Sequence, residues 1–286
     1  MEEGYFNQMR IKGLSPSTAL KPYIWKYYLY EQADERLRRS FFRALPSGRV
    51  EMFLFFDDNR IVFLTNRQIT VLSGFVAGIF ELTHPMKVKV EVNGGQFNGM
   101  SVIFTHLGVN RILNVRLSQL TNRIIDFTDF WSGAYQWLRD NILSVQEDGL
   151  RVRNLNQFFQ NQIGNYRGPV AKIYCILDSI EQMEGPLSVE RLARELNISY
   201  KSLYRMFVDE VGLTPKMYLK ILRFNQACRM LNNNPRVRWI ELVHQCGYYD
   251  QSHFIHEFKT IMKQSPRQYL MSTGGSFYLN RPYVFG

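Results

Sequence analysis

One pattern occurs twice in the C-terminal part of the chain: a short helical run, a tight turn, and a second helical run with a polar outer face. The first copy spans Leu187–Phe207 and the second spans Trp239–Lys259. A stretch with helical periodicity, Pro215–Leu231, joins the two copies. This repeat constrains the fold strongly, because each copy buries its apolar stripe only if its two helices cross closely. The pattern predicts an all-α domain over residues 169–272.

The first copy contains the residues that a close helix pair requires. Ser188 and Ser199 precede the two helical runs, where a serine hydroxyl can cap free backbone amides. Ala193 is small enough for the helices to cross closely, and Ile198 fills the turn. The side chains left on the outer face of the second helix are hydroxyl, aromatic or basic: Tyr200, Lys201, Ser202, Tyr204 and Arg205.

The second copy repeats this arrangement with different residues. Gly247 allows the turn, and Asp250 can cap the helix that follows. Phe254 and Phe258 are four residues apart and anchor that helix to the core. The side chains free to point outward on that helix are Gln251, Ser252, His253, Ile255 and His256.

A short helix, a tight turn and a second polar helix form the geometry that inserts side chains into a DNA major groove. Arginine can pair with guanine O6 and N7, and glutamine with adenine N6 and N7. Two copies on one chain predict that a single molecule reads two adjacent grooves. The candidate DNA-binding residues are Ser199, Lys201, Ser202, Tyr204, Arg205, Asp250, Gln251, Ser252, His253, Ile255, His256 and Lys259.

Residues 169–272 resemble the DNA-binding domain of the AraC/XylS family of bacterial transcription regulators. The motif that carries most of the resemblance is Gly212-Leu-Thr-Pro215, which lies between the two copies. The other matching positions are Leu192-Ala193, Leu203–Phe207, Tyr218-Leu219, Arg223-Phe224, Ala227, Leu231, Gly247-Tyr248, Asp250, Ser252, Phe254, Phe258-Lys259, Ser265-Pro266 and Tyr269.

This resemblance implies more than the residue pattern does. It implies base reading by Lys201, Tyr204 and Arg205 in the first copy, and by Gln251, Ser252, Ile255 and His256 in the second. It implies that the linking helix holds the two recognition helices roughly 34 Å apart, one turn of DNA. It also implies activation of transcription through contact with RNA polymerase, and a small β-barrel sensing domain before the DNA-binding domain.

Four positions depart from the family pattern. Val243 stands where alanine is usual, and Lys263 where a helix-ending glycine is expected. His256 and Leu270 stand where arginine is common. The loss of two cations predicts weaker DNA contacts in the second copy, so that the first copy dominates affinity.

The N-terminal half has a different pattern, with short β-branched and aromatic runs separated by turn residues. These runs predict a mainly-β domain, a small antiparallel barrel of cupin-like type with trailing helices. The runs are Val50–Phe56, Arg60–Leu64, Gln68–Leu72, Phe75–Phe80, Lys87–Val92 and Ser101–Phe104. A helical stripe follows at Phe127, Phe130, Trp131, Ala134, Leu138 and Ile142.

We therefore expect a two-domain chain. Residues 1–158 form a sensing or dimerisation domain, 159–168 a linker, 169–272 the DNA-binding domain, and 273–286 an aromatic C-terminal tail. If the barrel binds an effector, inward positions such as Phe53, Phe55, Phe63 and Phe75 would line its site.

Composition favours a cytoplasmic protein. The net charge of +10 permits polyanion binding, and the apolar runs are too short for a membrane span. The start has no signal-peptide pattern. Cys175, Cys228 and Cys246 are widely spaced, which predicts buried, reduced thiols.

The pattern predicts neither catalysis nor a cofactor or metal. His84 and His106 stand singly, so each is expected to be a turn or core residue, not a ligand. None of the three cysteines has the local setting of a methyl-transferring repair regulator. Two hypotheses remain: an effector-controlled regulator, and a constitutive dimeric DNA-binding protein with no small-molecule effector.

Overall fold

A computed structural model of the chain describes most of the C-terminal half and a large part of the N-terminal half. The described residues are 10–32, 41–44, 48–56, 60–64, 69–73, 78–80, 86–91, 97–121, 123, 125–126, 134–165, 172–182 and 187–273. Predictions for His84, Phe75, residues 127–133, residues 166–168 and the tail after Thr273 lie outside them.

The N-terminal domain is built on antiparallel strands, as the sequence predicts. A six-stranded sheet has the order β1-β2-β9-β4-β7-β10, and a four-stranded sheet has the order β3-β8-β5-β6. The strands are β1 Arg10–Leu14, β2 Ile24–Gln32, β3 Phe41–Ala44, β4 Glu51–Phe55, β5 Arg60–Leu64, β6 Ile69–Ser73, β7 Gly78–Phe80, β8 Met86–Glu91, β9 Phe97–Phe104 and β10 Ile125–Asp126.

The six predicted runs correspond to strands β4 to β9, with shifts of a few residues at the ends. The long strand β2 was not predicted. Its central residues Tyr27–Tyr30 are all buried, so both faces of the strand are covered. A strand buried on both faces loses the alternation of polar and apolar residues that identifies a strand in sequence.

The expectation of a closed barrel is wrong. In the described residues the two sheets are open, with β1 and β10 at the edges of one and β3 and β6 at the edges of the other. The two-domain fold class is confirmed, with an N-terminal antiparallel domain and a C-terminal helical domain.

Eleven α-helices complete the described part of the chain. Four belong to the N-terminal domain, of which α1 and α2 precede β10, and seven form the C-terminal domain. They are α1 His106–Gly108, α2 Leu117–Leu120, α3 Ala134–Leu138, α4 Asp148–Asn165, α5 Lys172–Gln182, α6 Val189–Glu195, α7 Tyr200–Met206, α8 Pro215–Asn233, α9 Trp239–Cys246, α10 Gln251–Met262 and α11 Pro266–Thr273. Single π-helical turns extend α1, α3 and α7, at Val109–Leu113, Arg139–Leu143 and Phe207–Val211.

The buried apolar residues do not divide at the predicted domain boundary. One cluster contains sheet residues such as Val102, helix residues such as Leu120, and Leu203 and Phe207 of the first helix–turn–helix copy. Another cluster contains Phe254, Phe258 and their neighbours in the second copy. Helix α8 contributes to both, because Leu219 lies in the first and Phe224 in the second.

Two local predictions need correction. Residues 159–165, expected to be part of a linker, instead belong to α4, which continues to Asn165, and Ile163 packs against the core. Cys228 and Cys246 are buried as predicted, but Cys175 is exposed. On α5 the apolar residues Tyr174 and Ile176 on either side of Cys175 face the core, which leaves the thiol on the outer surface. Among the described residues, the helices are too short or too polar to cross a membrane.

Candidate nucleic-acid interface

The first helix–turn–helix unit, residues 188–211, is capped at both helix starts. The hydroxyl of Ser188 accepts a hydrogen bond from the Arg191 amide at 3.1 Å, and that of Ser199 accepts from the Ser202 amide at 3.1 Å. Between the helices, Asn197 takes a left-handed conformation with φ 51°. Asparagine tolerates this region better than most residues, which explains how the turn forms without glycine.

The second unit, residues 239–262, forms its turn differently. Gly247 has φ 72°, and the Asp250 carboxylate accepts from the His253 amide at 2.7 Å. Both roles were predicted from the sequence. Helix α10 ends at Lys263, which has φ 60°. This is the position where the family pattern has glycine, so lysine occupies a backbone conformation that favours glycine.

The outer face of the first recognition helix, α7, carries exposed aromatic and basic side chains. Lys201, Tyr204 and Arg205 are all exposed, as predicted. Tyr200 is also exposed and stacks on Tyr204, with ring centroids 6.4 Å apart. The four-residue spacing of the two tyrosines is the sequence signal for this pair. Ser202 is half-buried and its hydroxyl accepts from that of Ser199 at 3.0 Å, so both serines serve the cap.

The second recognition helix, α10, exposes Gln251, Ser252, His256 and Lys259. Ile255 is half-buried on one flank of this helix. The structure gives His253 and Asp250 roles inside the unit. His253 Nε2 lies 3.5 Å from a Glu257 carboxylate oxygen, and its Nδ1 accepts from the Tyr249 amide at 3.2 Å.

Glu257 joins this recognition helix to the connecting helix. It is buried, and its carboxylate lies 3.2 Å from the Arg223 guanidinium on α8. The same guanidinium lies over the Tyr248 ring at 5.7 Å. Burial raises the pKa of Tyr248 far above its usual range. The Tyr248 hydroxyl has no hydrogen-bond partner in the described part of the chain.

Comparison with known proteins identifies this helical region. The model of the helix-turn-helix domain family matches residues 192–272. The transcriptional activator RhaS of Salmonella arizonae is 32% identical over 78 residues, which cover 27% of this chain and 28% of RhaS. The RhaS protein of Salmonella paratyphi B matches to the same extent. Residues 192–272 are thus similar to the helix-turn-helix domain family, and the matched relatives named here are transcriptional activators.

Over the whole chain the likeness is structural. The crystal structure of unsaturated fatty acid bound wild-type ToxT from Vibrio cholerae aligns with a TM-score of 0.50 and 10% identity, covering 91% of this chain and 97% of that one. At this identity the likeness shows the fold alone. The chain covers about 28% of the length of the curated relatives that it matches.

The first helix–turn–helix unit docks on the N-terminal domain, whose hydroxyl side chains donate hydrogen bonds to the backbone of that unit. The Ser118 hydroxyl donates to the Asp209 carbonyl at 2.9 Å, and the Thr121 hydroxyl donates to the Val211 carbonyl at 2.8 Å. Gly212 lies so close that an added Cβ would be 2.8 Å from the Ser118 Cα. These contacts join residues about 90 positions apart, and no sequence pattern indicated them.

A buried histidine lies at the same junction. His106 is 1% exposed, its Nδ1 lies 3.1 Å from an Asp178 carboxylate oxygen, and its Nε2 lies 3.0 Å from the Gly48 carbonyl oxygen. The Tyr218 hydroxyl of α8 is 3.2 Å from the same Nε2. This confirms that His106 is a core residue. The structure adds that it joins the N-terminal domain to α5 and α8.

The predicted effector-lining residues do not form a described cavity. Phe53 is buried, and the side chains of Phe55 and Phe63 lie outside the described residues. A cavity of about 220 Å³ lies beside the six-stranded sheet and has a polar lining. Arg151 contributes to this lining, with its guanidinium 3.8 Å from the centre of the Phe56 ring and 3.2 Å from an Asp148 carboxylate oxygen.

Proposed function

We propose that this protein is a sequence-specific DNA-binding transcription regulator that reads two adjacent major grooves. The observation that carries the proposal is the pair of capped helix–turn–helix units on one continuous helix, α8. Each unit presents an exposed recognition face, with Tyr204 and Arg205 on one and Gln251 and His256 on the other. The match of residues 192–272 to the helix-turn-helix domain family supports the same function.

The exposed side chains suit distinct bases. Arg205 can donate two hydrogen bonds to guanine O6 and N7, and Gln251 can pair with adenine N6 and N7. The stacked rings of Tyr200 and Tyr204 present an apolar surface that suits a thymine methyl group. Four other candidate residues stabilise the recognition helices through contacts within each unit. They are Ser199, Ser202, Asp250 and His253.

Selection of bound duplexes from a random pool, followed by footprinting, tests this proposal. The selected site should contain two blocks about one helical turn apart, roughly 34 Å. Arg205→Ala should weaken one block and His256→Ala the other. A footprint confined to one short block and unchanged by either variant would overturn two-groove reading.

A base-specific variant separates base contacts from phosphate contacts. Arg205→Ala should cost about 1–3 kcal/mol and relax preference at one base pair. Lys21→Ala is the matched control, since Lys21 is exposed in the N-terminal domain and its loss removes the same charge. An equal loss of affinity on every sequence with Arg205→Ala would show that this arginine contacts phosphate only.

We propose activation, through contact with RNA polymerase in the cytoplasm, as the regulatory role. The name of the matched relative RhaS, a transcriptional activator, supports this role. Transcription in vitro from a promoter that carries the selected site should rise when the protein is added. A fall in transcript at saturating protein would indicate repression.

The N-terminal domain is proposed to sense a small polar molecule. The polar cavity lined by Arg151, Asp148 and Asn98 supports this role. The alternative is a constitutive homodimer that needs no effector. Sedimentation at micromolar concentration with and without small metabolites separates the two, because a sensing domain changes its association or DNA affinity and a constitutive dimer does not.

A further inference from the structure

A groove runs along one flank of the second recognition helix. It has a volume of about 690 Å³ and lies between α10, the start of α11 and the first residue of α9. Gln251, Ile255 and Lys259 of α10, which are four residues apart, form one wall, and Arg267 lies on the other. The groove therefore follows the helix that is proposed to enter DNA.

The charged side chains that line the groove are all positive. Lys259 and Arg267 are both exposed lining residues. Neither makes an ion pair within the described part of the chain, and no Asp or Glu is among the residues that line the groove there. A cleft with cations and no carboxylate concentrates anions.

Part of the groove lining is apolar. It consists of Trp239, Ile255 and Leu270, which are each half-buried. Leu270 stands where the family pattern has arginine, and Arg267 lies three residues before it on the same face of α11. Arg267 thus supplies a cation close to where the family pattern would place one.

The dimensions of DNA indicate which part of the duplex lies beside this flank of α10. An α-helix with its side chains is about 10–12 Å across, and the major groove is about 12 Å wide. A helix that fills the groove therefore has a sugar-phosphate strand along each flank. Deoxyribose is apolar on its C–H faces and phosphate is anionic, so a strand of this kind matches a groove lined by both apolar and cationic side chains.

We propose that this groove binds the sugar-phosphate backbone of the strand that borders the second major groove, with Arg267 and Lys259 as phosphate contacts. The inference rests on the proposed function: it assigns a phosphate contact to Lys259 and adds Arg267, which lies outside the recognition helix. It predicts that the second unit obtains affinity from its flank as well as from base contacts.

Salt titration of the full-length protein on its selected duplex tests the inference. Each phosphate contact contributes about 0.9 to the slope of log Kobs against log salt concentration. Arg267→Gln and Lys259→Gln should each lower that slope by about 0.9, and the double variant by about twice as much. The loss of affinity should be the same for every base sequence in the second block.

Lys21→Gln is the matched control, because it removes one exposed positive charge from the N-terminal domain. Its slope should equal that of the wild type. Thermal unfolding of all variants should also be unchanged, since the altered side chains are exposed. If Lys21→Gln lowers the slope as much as Arg267→Gln does, the effect comes from the net charge of the protein and not from a local phosphate contact. That result would overturn the inference.

Neutral phosphate analogues in the DNA identify which phosphate each side chain contacts. Replacing single phosphates beside the second block by methylphosphonate should weaken wild-type binding at one or two positions. Arg267→Gln should show no further loss at its position. If wild-type protein selects no duplex, the proposed function fails. If it binds and the Arg267 and Lys259 variants keep the wild-type slope, this inference alone fails.

Discussion

The two helix–turn–helix units have the same order of cap, helix, turn and helix but different supports. The first packs against the N-terminal domain, where Phe207 and Leu203 join a core that includes sheet residues. The second packs on the C-terminal half of α8 and on α11, in a cluster that contains Phe254 and Phe258. The orientation of the first recognition helix therefore depends on the N-terminal domain as well as on α8, whereas that of the second depends on α8 and α11.

The largest expected effect comes from removing one buried ring in each unit. Phe207→Ala and Phe254→Ala should each cost about 3–5 kcal/mol, because both rings are 0% exposed and leave a cavity. Amide hydrogen exchange should show that the two substitutions destabilise different parts of the chain. Phe207→Ala should lower protection in α2 and β9 as well as in α7, while Phe254→Ala should affect α9, α10 and the end of α8.

Equal loss of protection in β9 from both variants would contradict the division into two supports. Global unfolding curves alone do not answer the question, because a chain with separately packed regions need not unfold in one step.

The next largest effect is expected from alanine at two glycines, and comparing the two sites separates the cost of backbone strain from the cost of lost docking. Gly212 and Gly247 both have positive φ, 77° and 72°. Alanine at either position should cost about 1–2 kcal/mol from the left-handed backbone. At Gly212 the added Cβ also meets the Ser118 Cα at 2.8 Å, which should add about 1–3 kcal/mol. Chemical denaturation of each variant measures the difference, and equal costs would show that the first unit docks loosely.

A smaller effect is expected from two buried tyrosine hydroxyls. Tyr218→Phe removes the contact with His106 and should cost about 0.5–1.5 kcal/mol. Tyr248→Phe should be neutral or stabilising, because its buried hydroxyl has no partner among the described residues. Melting temperatures of the two variants provide the measurement. A cost at Tyr248 equal to that at Tyr218 would reveal an unrecognised partner of the Tyr248 hydroxyl.

The smallest effect concerns the end of the second recognition helix. Lys263→Gly should stabilise the second unit by about 1 kcal/mol, because it relieves a left-handed lysine with φ 60°. Thiol labelling of Cys246 reports this locally: the thiol is buried, and burial raises its pKa to about 12, so it reacts only when the unit opens. Labelling should slow about five-fold. Exposed Cys175 should label at an unchanged rate and serves as the internal control.

Much of the candidate interface could be predicted from the sequence because its signals are local. The caps at Ser199 and Asp250 and the turn at Gly247 each depend on residues within four positions, and all three are confirmed. The strand β2 could not be predicted, since Tyr27–Tyr30 are covered on both faces and show no alternation. The roles of the exposed residues toward DNA remain predictions.

The sequence alone determined that two short helix pairs would form and which residues would cap them, because capping, turn geometry and apolar spacing act within one or two helical turns. The tertiary structure alone decided that the first pair shares its core with the sheet domain. The contacts of His106 with Tyr218 and of Ser118 with Asp209 join residues 112 and 91 positions apart. Such contacts depend on the complementary shapes of two folded surfaces, and the spacing of residues along the chain does not predict those shapes.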